Sequence, residues 1–378
     1  FIELAFDNGN ILAGSGSQPL TELEMELKSG PSLALFEAGK ALLKDIPFRF
    51  SPYSKAERGY RFAEGTAPAE RAPYFAEIVS FDSGITTEHA FRDVLRSCLT
   101  QISENRLAVL SSDDPEGPHQ LRVGLRRLRS AFRLFRPILN PATMAPLDRT
   151  AKVIATEAGS LRDLDVLVDE IVMPLVDRAP GTLSFDALLE NLNALRDEST
   201  RTTLTDHLKS EEVNGFLLDL AAYTEGRGWL DPENFGQTQL LAQPVETHAG
   251  EALAKQWKKV LKYGKRLEEL TVPERHEMRK AMKKMRYGIE FFGCLYPKDT
   301  VKPFLKRMKK LQDIFGYLND VAMAEQLPVK CKVSGANALA TNQAIGFVIG
   351  WHEAQCQAMW QHAKGYWEAT RETPKFWT

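Results

Sequence analysis

A chain of 378 residues, 43% hydrophobic and 26% charged, is long enough for two domains and can bury sizeable cores. Its formal net charge of −2 excludes a generic basic coat for nucleic acid, so any anion site must come from local clustering of its 48 Lys and Arg. No apolar run approaches the ~20 residues that span a bilayer, and no signal peptide is expected. The scattered cysteines Cys98, Cys294, Cys331 and Cys356 suggest reduced thiols in a cytoplasmic protein, not disulfides or a zinc site.

Residues 1–62 read differently from the rest. Phe1–Phe6 and Ile11–Ala13 flank Asn8-Gly9, a turn signal that predicts a hairpin there. Thr21–Lys28 alternates strictly, with Glu22, Glu24, Glu26 and Lys28 on one face and Leu23, Met25 and Leu27 on the other, which predicts a strand. Ser32–Leu43 is read as a short amphipathic helix, and Ser54–Phe62, carrying Lys55, Arg58 and Arg61, as a further strand. Residues 63–85, rich in Ala, Pro and Gly, are read as a linker.

From Thr86 onward the periodicity is helical. Helices are predicted over 87–111, 119–137, 144–158, 163–177, 184–200, 204–224, 246–270, 274–293, 299–315, 319–326 and 336–370, punctuated by prolines. This region repeats itself. His119-Gln-Leu-Arg122-Val-Gly-Leu-Arg126-Arg127-Leu-Arg129 returns as His276-Glu-Met-Arg279-Lys-Ala-Met-Lys283-Lys284-Met-Arg286, offset by 157. Leu161-Arg-Asp163 returns as Leu318-Asn-Asp320, Arg149 and Lys152 as Lys306 and Lys309, and Phe135 as Phe292, at the same offset. A constant spacing over three segments indicates duplication and a pseudo-twofold pair of bundles.

On a helical wheel with His119 at zero, Arg122, Arg126, Arg129 and Arg133 fall within an arc of about 80°, separate from the apolar arc of Leu121, Leu125, Leu128 and Phe132. His276, Arg279, Lys283 and Arg286 occupy the same arc of the second copy, where Glu290 replaces Arg133. Cations at i+3 and i+4 repel, so a stripe without acids is costly unless an anion lies against it. Arginine forks match phosphate oxygens, and a row of cations matches a linear polyphosphate. The histidine adds a donor that strengthens as pH falls through about 6.5. The plainer reading is a solvated charged face, but that does not require the same register twice. Arg149, Lys152, Lys306 and Lys309 could extend the wall, while Asp163 and Asp320 read as caps or as orienters of the arginines.

These motifs resemble the CHAD family over about residues 86–370. The resemblance implies a mainly α fold of two four-helix bundles related by a pseudo-twofold axis, one about 86–225 and the other about 245–370. It implies inorganic polyphosphate as partner, with association with polyphosphate or storage granules, and a basic groove. The residues it carries over are His119, Arg122, Arg126, Arg127, Arg129, Arg133, His276, Arg279, Lys283, Lys284 and Arg286. The lysines and Glu290 of the second copy make that half the weaker one.

The N-terminal wording, Phe1–Asp7, Glu22–Gly30 and Ser54–Tyr60, resembles the C-terminal part of the CYTH fold, an antiparallel β tunnel that hydrolyses triphosphates with a divalent metal. Three carboxylates about 7 Å apart repel, and hard oxygen ligands suit Mg2+ or Mn2+. By that resemblance Glu22, Glu24 and Glu26 serve metal, and Lys28, Lys55 and Arg58 bind phosphates. CYTH followed by CHAD is a pairing of bacterial inorganic triphosphatases. The family's opening Glu-x-Glu-x-Lys strand and about half the tunnel are absent from this stretch, so no catalysis is expected from these residues alone. A nucleic-acid or acidic-protein binder is a third reading, but no aromatics interleave with the stripe as stacking would need.

Overall fold

The computed structural model describes residues 1–51, 53–65, 72–82, 84–331 and 337–378. An antiparallel hairpin, β1 (Ile2–Ala13) and β2 (Gly16–Leu27), is followed by helices α1 (Leu33–Leu42) and α2 (Lys55–Ala63). The first helical unit comprises α3 (Thr87–Ser111), α4 (Glu116–Leu134), α5 (Pro141–Asp165), α6 (Met173–Val176), α7 (Asp186–Ala194), α8 (Thr202–Lys209) and α9 (Glu211–Glu225). After α10 (Phe235–Ala242), the second has α11 (Val245–Gly264), α12 (Val272–Phe292), α13 (Lys298–Ala324), α14 (Leu327–Lys330), α15 (Ala338–Trp360) and α16 (Ala363–Glu372).

Two expectations about the N-terminal part are corrected. Asn8-Gly9 is not the turn: both residues lie inside β1, opposite Thr21 and Leu20. The chain reverses at Gly14-Ser15, where Gly14 supplies the positive φ of 57° that a two-residue turn requires. Ser54–Phe62 is not a strand but α2. The Ser54 hydroxyl accepts from the Glu57 amide at 3.2 Å, and Arg61 pairs with Glu57 one turn away. A Ser cap followed by straight-chain Lys, Glu and Arg with no β-branched residue favours a helix, which the short window hid. Phe62 then packs on the hairpin so tightly that a β-carbon at Gly16 would lie 2.9 Å from its ring. The predicted linker 63–85 falls partly on residues 66–71 and 83, outside the described residues, as does the predicted helix start at 336.

The helical part is predominantly as expected, with different joints. The segments predicted at 144–158 and 163–177 form one path, α5 running through a π-helical stretch (Val166–Val172) into α6. Those predicted at 299–315 and 319–326 fuse into α13. Conversely 204–224 divides at Ser210, which caps α9, and 336–370 divides between α15 and α16.

The duplication is visible in the elements. Shifting α3, α4 and α5 by 157 lands on α11, α12 and α13 within a few residues, and even the helix-interior Pro146 finds Pro303. Thr87 N–H donates to the Gln243 carbonyl (2.9 Å) and Val245 N–H to that of Ile85 (3.0 Å), so the starts of the equivalent helices α3 and α11 bridge each other reciprocally. The equivalent rings Phe135 and Phe292 lie 5.4 Å apart. These contacts place the pseudo-twofold between the two units, which share one large core. A second, smaller core joins the π-helical stretch and α7 to the end of α13 and to α15.

The N-terminal part docks on this body through α1. Buried Arg106 donates to the Leu208 carbonyl (2.7 Å) and to Asn214 Oδ1 (2.5 Å). The Asn214 amide in turn donates to the carbonyls of Leu43 and Lys44, at 2.7 and 2.8 Å. Lys40 pairs with Asp219 at 2.6 Å.

Candidate anion-binding groove

Helices α4 and α12 carry the two stripes. Each buries its apolar arc: Leu121, Leu125, Leu128 and Phe132 on α4; Met278, Met282, Met285 and Ile289 on α12. The basic arcs are thereby turned toward a shared seam. Arg122 and Arg126 of α4 both lie close enough to Arg279 and Lys283 of α12 to depress their protonation. Equivalent positions of the two copies thus confront one another, and the stripes form one cluster.

The cluster is poorly compensated. Burial, with the charges of Arg126, Arg279 and Arg122, pushes the Lys283 ammonium down to about 6. Burial likewise lowers Arg126, Arg279 and, farther along, Arg133. Among the described residues no side chain is hydrogen-bonded to Arg126, Arg279 or Lys283, and the buried Nε of Arg279 has no partner. His119 is held below its ordinary value by burial, and its Nδ1 is also buried without a partner. Neutral at pH 7, it departs from the expectation of a donor switching near 6.5.

Acids appear at the back of the cluster as orienters, not caps. Asp163, inside α5, accepts from Arg122 at 3.0 Å, and Asp148 accepts from Arg129 at 2.8 Å. Asp320, the partner of Asp163 by repeat, is pushed up to about 6 by burial, against the pull of Arg279. The Arg122 guanidinium also lies on Gly159, where an added β-carbon would stand 3.2 Å from Cζ.

Several expected residues lie elsewhere. Arg127 is 3% exposed, donates to Gln101 Oε1 (2.8 Å) and Ser97 Oγ (3.2 Å), and faces the Phe291 ring. At about 80° from His119 on the wheel it points into the protein, and its place in the binding set is corrected to a packing role. Arg286 is exposed and paired with Glu290 at 2.8 Å, and His276 is exposed. Lys284 lies near Arg133 and Lys259, beyond the cluster. Arg149 and Lys152 on α5, and Lys306 and Lys309 on α13, are exposed and stand within about 40° of Asp163 or Asp320 on their helices. They therefore flank the seam. Gly159, its repeat partner Gly316, and Asp148 were missed; carrying the 157 comparison through the following helix finds the glycine pair.

The N-terminal charges neutralise each other. Arg58 reaches Glu22 at 3.0 Å; Lys55 reaches Glu24 at 3.1 Å and also pairs with Asp7. Lys28 bridges Glu3 and Glu26. The residues do not fit a metal centre as they stand, since each carboxylate has a cation partner. Among the described residues no group of three or more His, Cys, Asp or Glu is placed to hold an ion.

The CHAD domain family model matches residues 93–327. The chain belongs to the CHAD family. It is similar to the crystal structure of the CHAD domain from the plant Ricinus communis, with 28% identity and a TM-score of 0.65, over 80% of this chain and 99% of that one. PptA from Streptomyces chartreusis, 12% identical with a TM-score of 0.53, covering 75% of this chain and 100% of that one, shares the fold. An inorganic triphosphatase of Haemophilus influenzae is 49% identical over 59 residues, which make up 16% of this chain and 17% of that relative. The N-terminal β part of this CHAD protein fits a CYTH remnant. No helix among the described residues is long and apolar enough to cross a membrane.

Proposed function

We propose that this CHAD protein binds inorganic polyphosphate along the seam between α4 and α12. The observation that carries the reading is the uncompensated trio Arg126, Arg279 and Lys283, drawn from both copies and crowded at the centre of the seam. A buried cation without an acid is costly, and a linear anion offsets that cost at several positions at once. Arg122, oriented by Asp163, and Arg129, oriented by Asp148, extend the row on the α4 side. Arg133, Lys284, Arg149, Lys152, Lys306 and Lys309 supply flanking charge. Location in a bacterial cytoplasm, at polyphosphate granules, follows as part of the same proposal.

The test is titration with long-chain polyphosphate at 50 and 200 mM salt. If four phosphates are neutralised, single-strand counterion logic gives a slope near −2.8, or about a 50-fold weaker affinity at the higher salt. Replacing Arg126 and Arg279 together with Ala should about halve the slope. Unchanged affinity in that double variant, with its helical spectrum intact, refutes the groove. Single-stranded RNA serves as the competing polyanion, and tighter binding to it favours the nucleic-acid reading.

A second reading concerns hydrolysis. The likeness to an inorganic triphosphatase supports assigning metal-dependent triphosphate cleavage to a longer protein with a complete CYTH tunnel. In this chain the carboxylates are occupied by Lys55, Arg58 and Lys28, and two strands do not enclose a substrate. Release of phosphate from tripolyphosphate by these 378 residues with Mg2+ or Mn2+, abolished by Glu24→Ala, would overturn that assignment.

A further inference from the structure

Beyond Arg133 and Lys284 the seam opens into a cavity of about 640 Å³ between the end of α4, α10 and α11. Its size is that of a small-molecule pocket. Two kinds of surface line it. Arg133, Arg136, Lys255, Lys259 and Lys284 make one side strongly cationic, with Glu251 as the acid among the lining residues. Leu134, Pro137, Leu240 and Ala252 make the other apolar.

His248 belongs to the second surface. It is 4% exposed and stacks on Phe135, ring centroids 4.9 Å apart and planes within 17°. Its Nε2 is buried with no partner. Burial pushes it down to about 4, so the ring is neutral at pH 7, while the Leu134 backbone hydrogen-bonds to it. With Nδ1 bonded to a carbonyl, the neutral tautomer leaves a lone pair on Nε2. That nitrogen accepts, and the inner phosphates of a polyphosphate chain, which offer only acceptors, do not satisfy it. The complementary ligand carries phosphates at one end and a flat, apolar ring with an N–H donor at the other.

We propose that this cavity is a site for amino-purine nucleoside polyphosphates, with the base beside His248 and the phosphate chain on Lys259, Lys284 and Arg133. The site borders the polyphosphate seam and draws on two of its flanking cations, but it does not require long polyphosphate to bind at the centre.

The experiment is calorimetric titration of the whole chain with ATP, purine riboside triphosphate and tripolyphosphate at one salt concentration. ATP should bind at least 10-fold more tightly than tripolyphosphate, and purine riboside triphosphate, whose base carries no N–H donor, should fall between them. Ala252→Trp fills the cavity without removing a cation and should erase the difference between ATP and tripolyphosphate. His248→Phe should do the same, and His248→Gln, which restores an acceptor, should recover part of it. Equal affinity for ATP and tripolyphosphate in the unaltered protein overturns the proposal, as does a preference for ATP that survives Ala252→Trp. Should His248→Phe fail to fold, the Ala252→Trp comparison decides. Selective ATP binding without affinity for long polyphosphate would keep this site and remove the seam reading; the reverse result would do the opposite.

Discussion

Lys283 offers the most direct test of the electrostatics at the seam. In the folded chain its ammonium is held near 6, against 10.5 for an unconstrained lysine. Between those values the unfolded chain carries a proton on this residue that the folded chain lacks. Stability therefore rises with pH through that window, and the dependence flattens below about 6, where the folded form is protonated too. A full proton difference corresponds to about 1.4 kcal/mol per pH unit. The difference is close to one proton over most of pH 6.5 to 8.5, so the parent should gain about 2.5 kcal/mol across that range. Lys283→Met keeps the aliphatic bulk and removes the charge. Urea denaturation at pH 6.5, 7.5 and 8.5 in low salt should show the variant more stable than the parent at pH 6.5, the gap closing as pH rises. Groups away from Lys283 affect both proteins and drop out of the difference, while Asp320, which feels the Lys283 charge, has its value near 6, below the range compared. Parallel pH profiles for the two proteins would refute the depressed lysine. The same residue links pH to ligand: an arriving polyanion stabilises the charged form, so binding at pH 7.5 should take up close to one proton. That uptake is measurable by calorimetry in buffers of different ionisation enthalpy and should be missing in Lys283→Met.

Two substitutions separate fold from site. Arg127→Met removes one buried and one partly buried hydrogen bond and leaves Gln101 Oε1 without its donor, which should cost about 3 kcal/mol in denaturant unfolding and leave polyphosphate affinity of the folded protein unchanged. A large loss of affinity there would return Arg127 to the binding set. Gly159→Val places bulk where the Arg122 guanidinium lies, with 3.2 Å already separating a β-carbon from Cζ. Polyphosphate affinity should fall by about tenfold, the equivalent of roughly 1.4 kcal/mol, with little change in melting temperature. The opposite pattern would show Arg122 to be structural.

Much of the helical body was legible because helix period and repeat reinforce each other. The arcs of α4 and α12 could be drawn from sequence, since an apolar stripe fixes which way a helix faces and so where its other residues point. Arg127 shows what a motif comparison adds wrongly: it belongs to the repeated string, yet its wheel position sends it into the core beside Phe291. Helix ends were less legible: the Ser210 cap is a local signal lost inside a continuous apolar period, and the π-helical stretch after Asp165 packs in the second core, which no local pattern marks. The N-terminal part was the least legible. Asn8-Gly9 carried a strong turn signal, but pairing of β1 with β2 over twelve positions outweighs one dipeptide, and Gly14 was available to turn instead. The cavity beside His248 had no sequence signal, since its walls come from α4, α10 and α11.

The seam also alters how an asymmetric site should be understood. Sequence alone favours the first copy, with four arginines against a mixture of arginine and lysine ending at Glu290. In the fold, two of those arginines are engaged, Arg122 by Asp163 and Arg129 by Asp148, while Glu290 neutralises Arg286 at the far edge of the second copy. The arginines left without an acid partner are Arg126 and Arg133 from one copy and Arg279 from the other, with Lys283 beside Arg126 and Arg279, ready to take up a proton when an anion arrives. An anion gains most where uncompensated charges are buried together, because there it meets the least competition from resident carboxylates and the least screening from water. The duplication therefore does more than double a weak surface. It brings two stripes face to face so that neither copy completes the site alone, and a single repeat expressed by itself would expose both its share of the common core and half of a binding row.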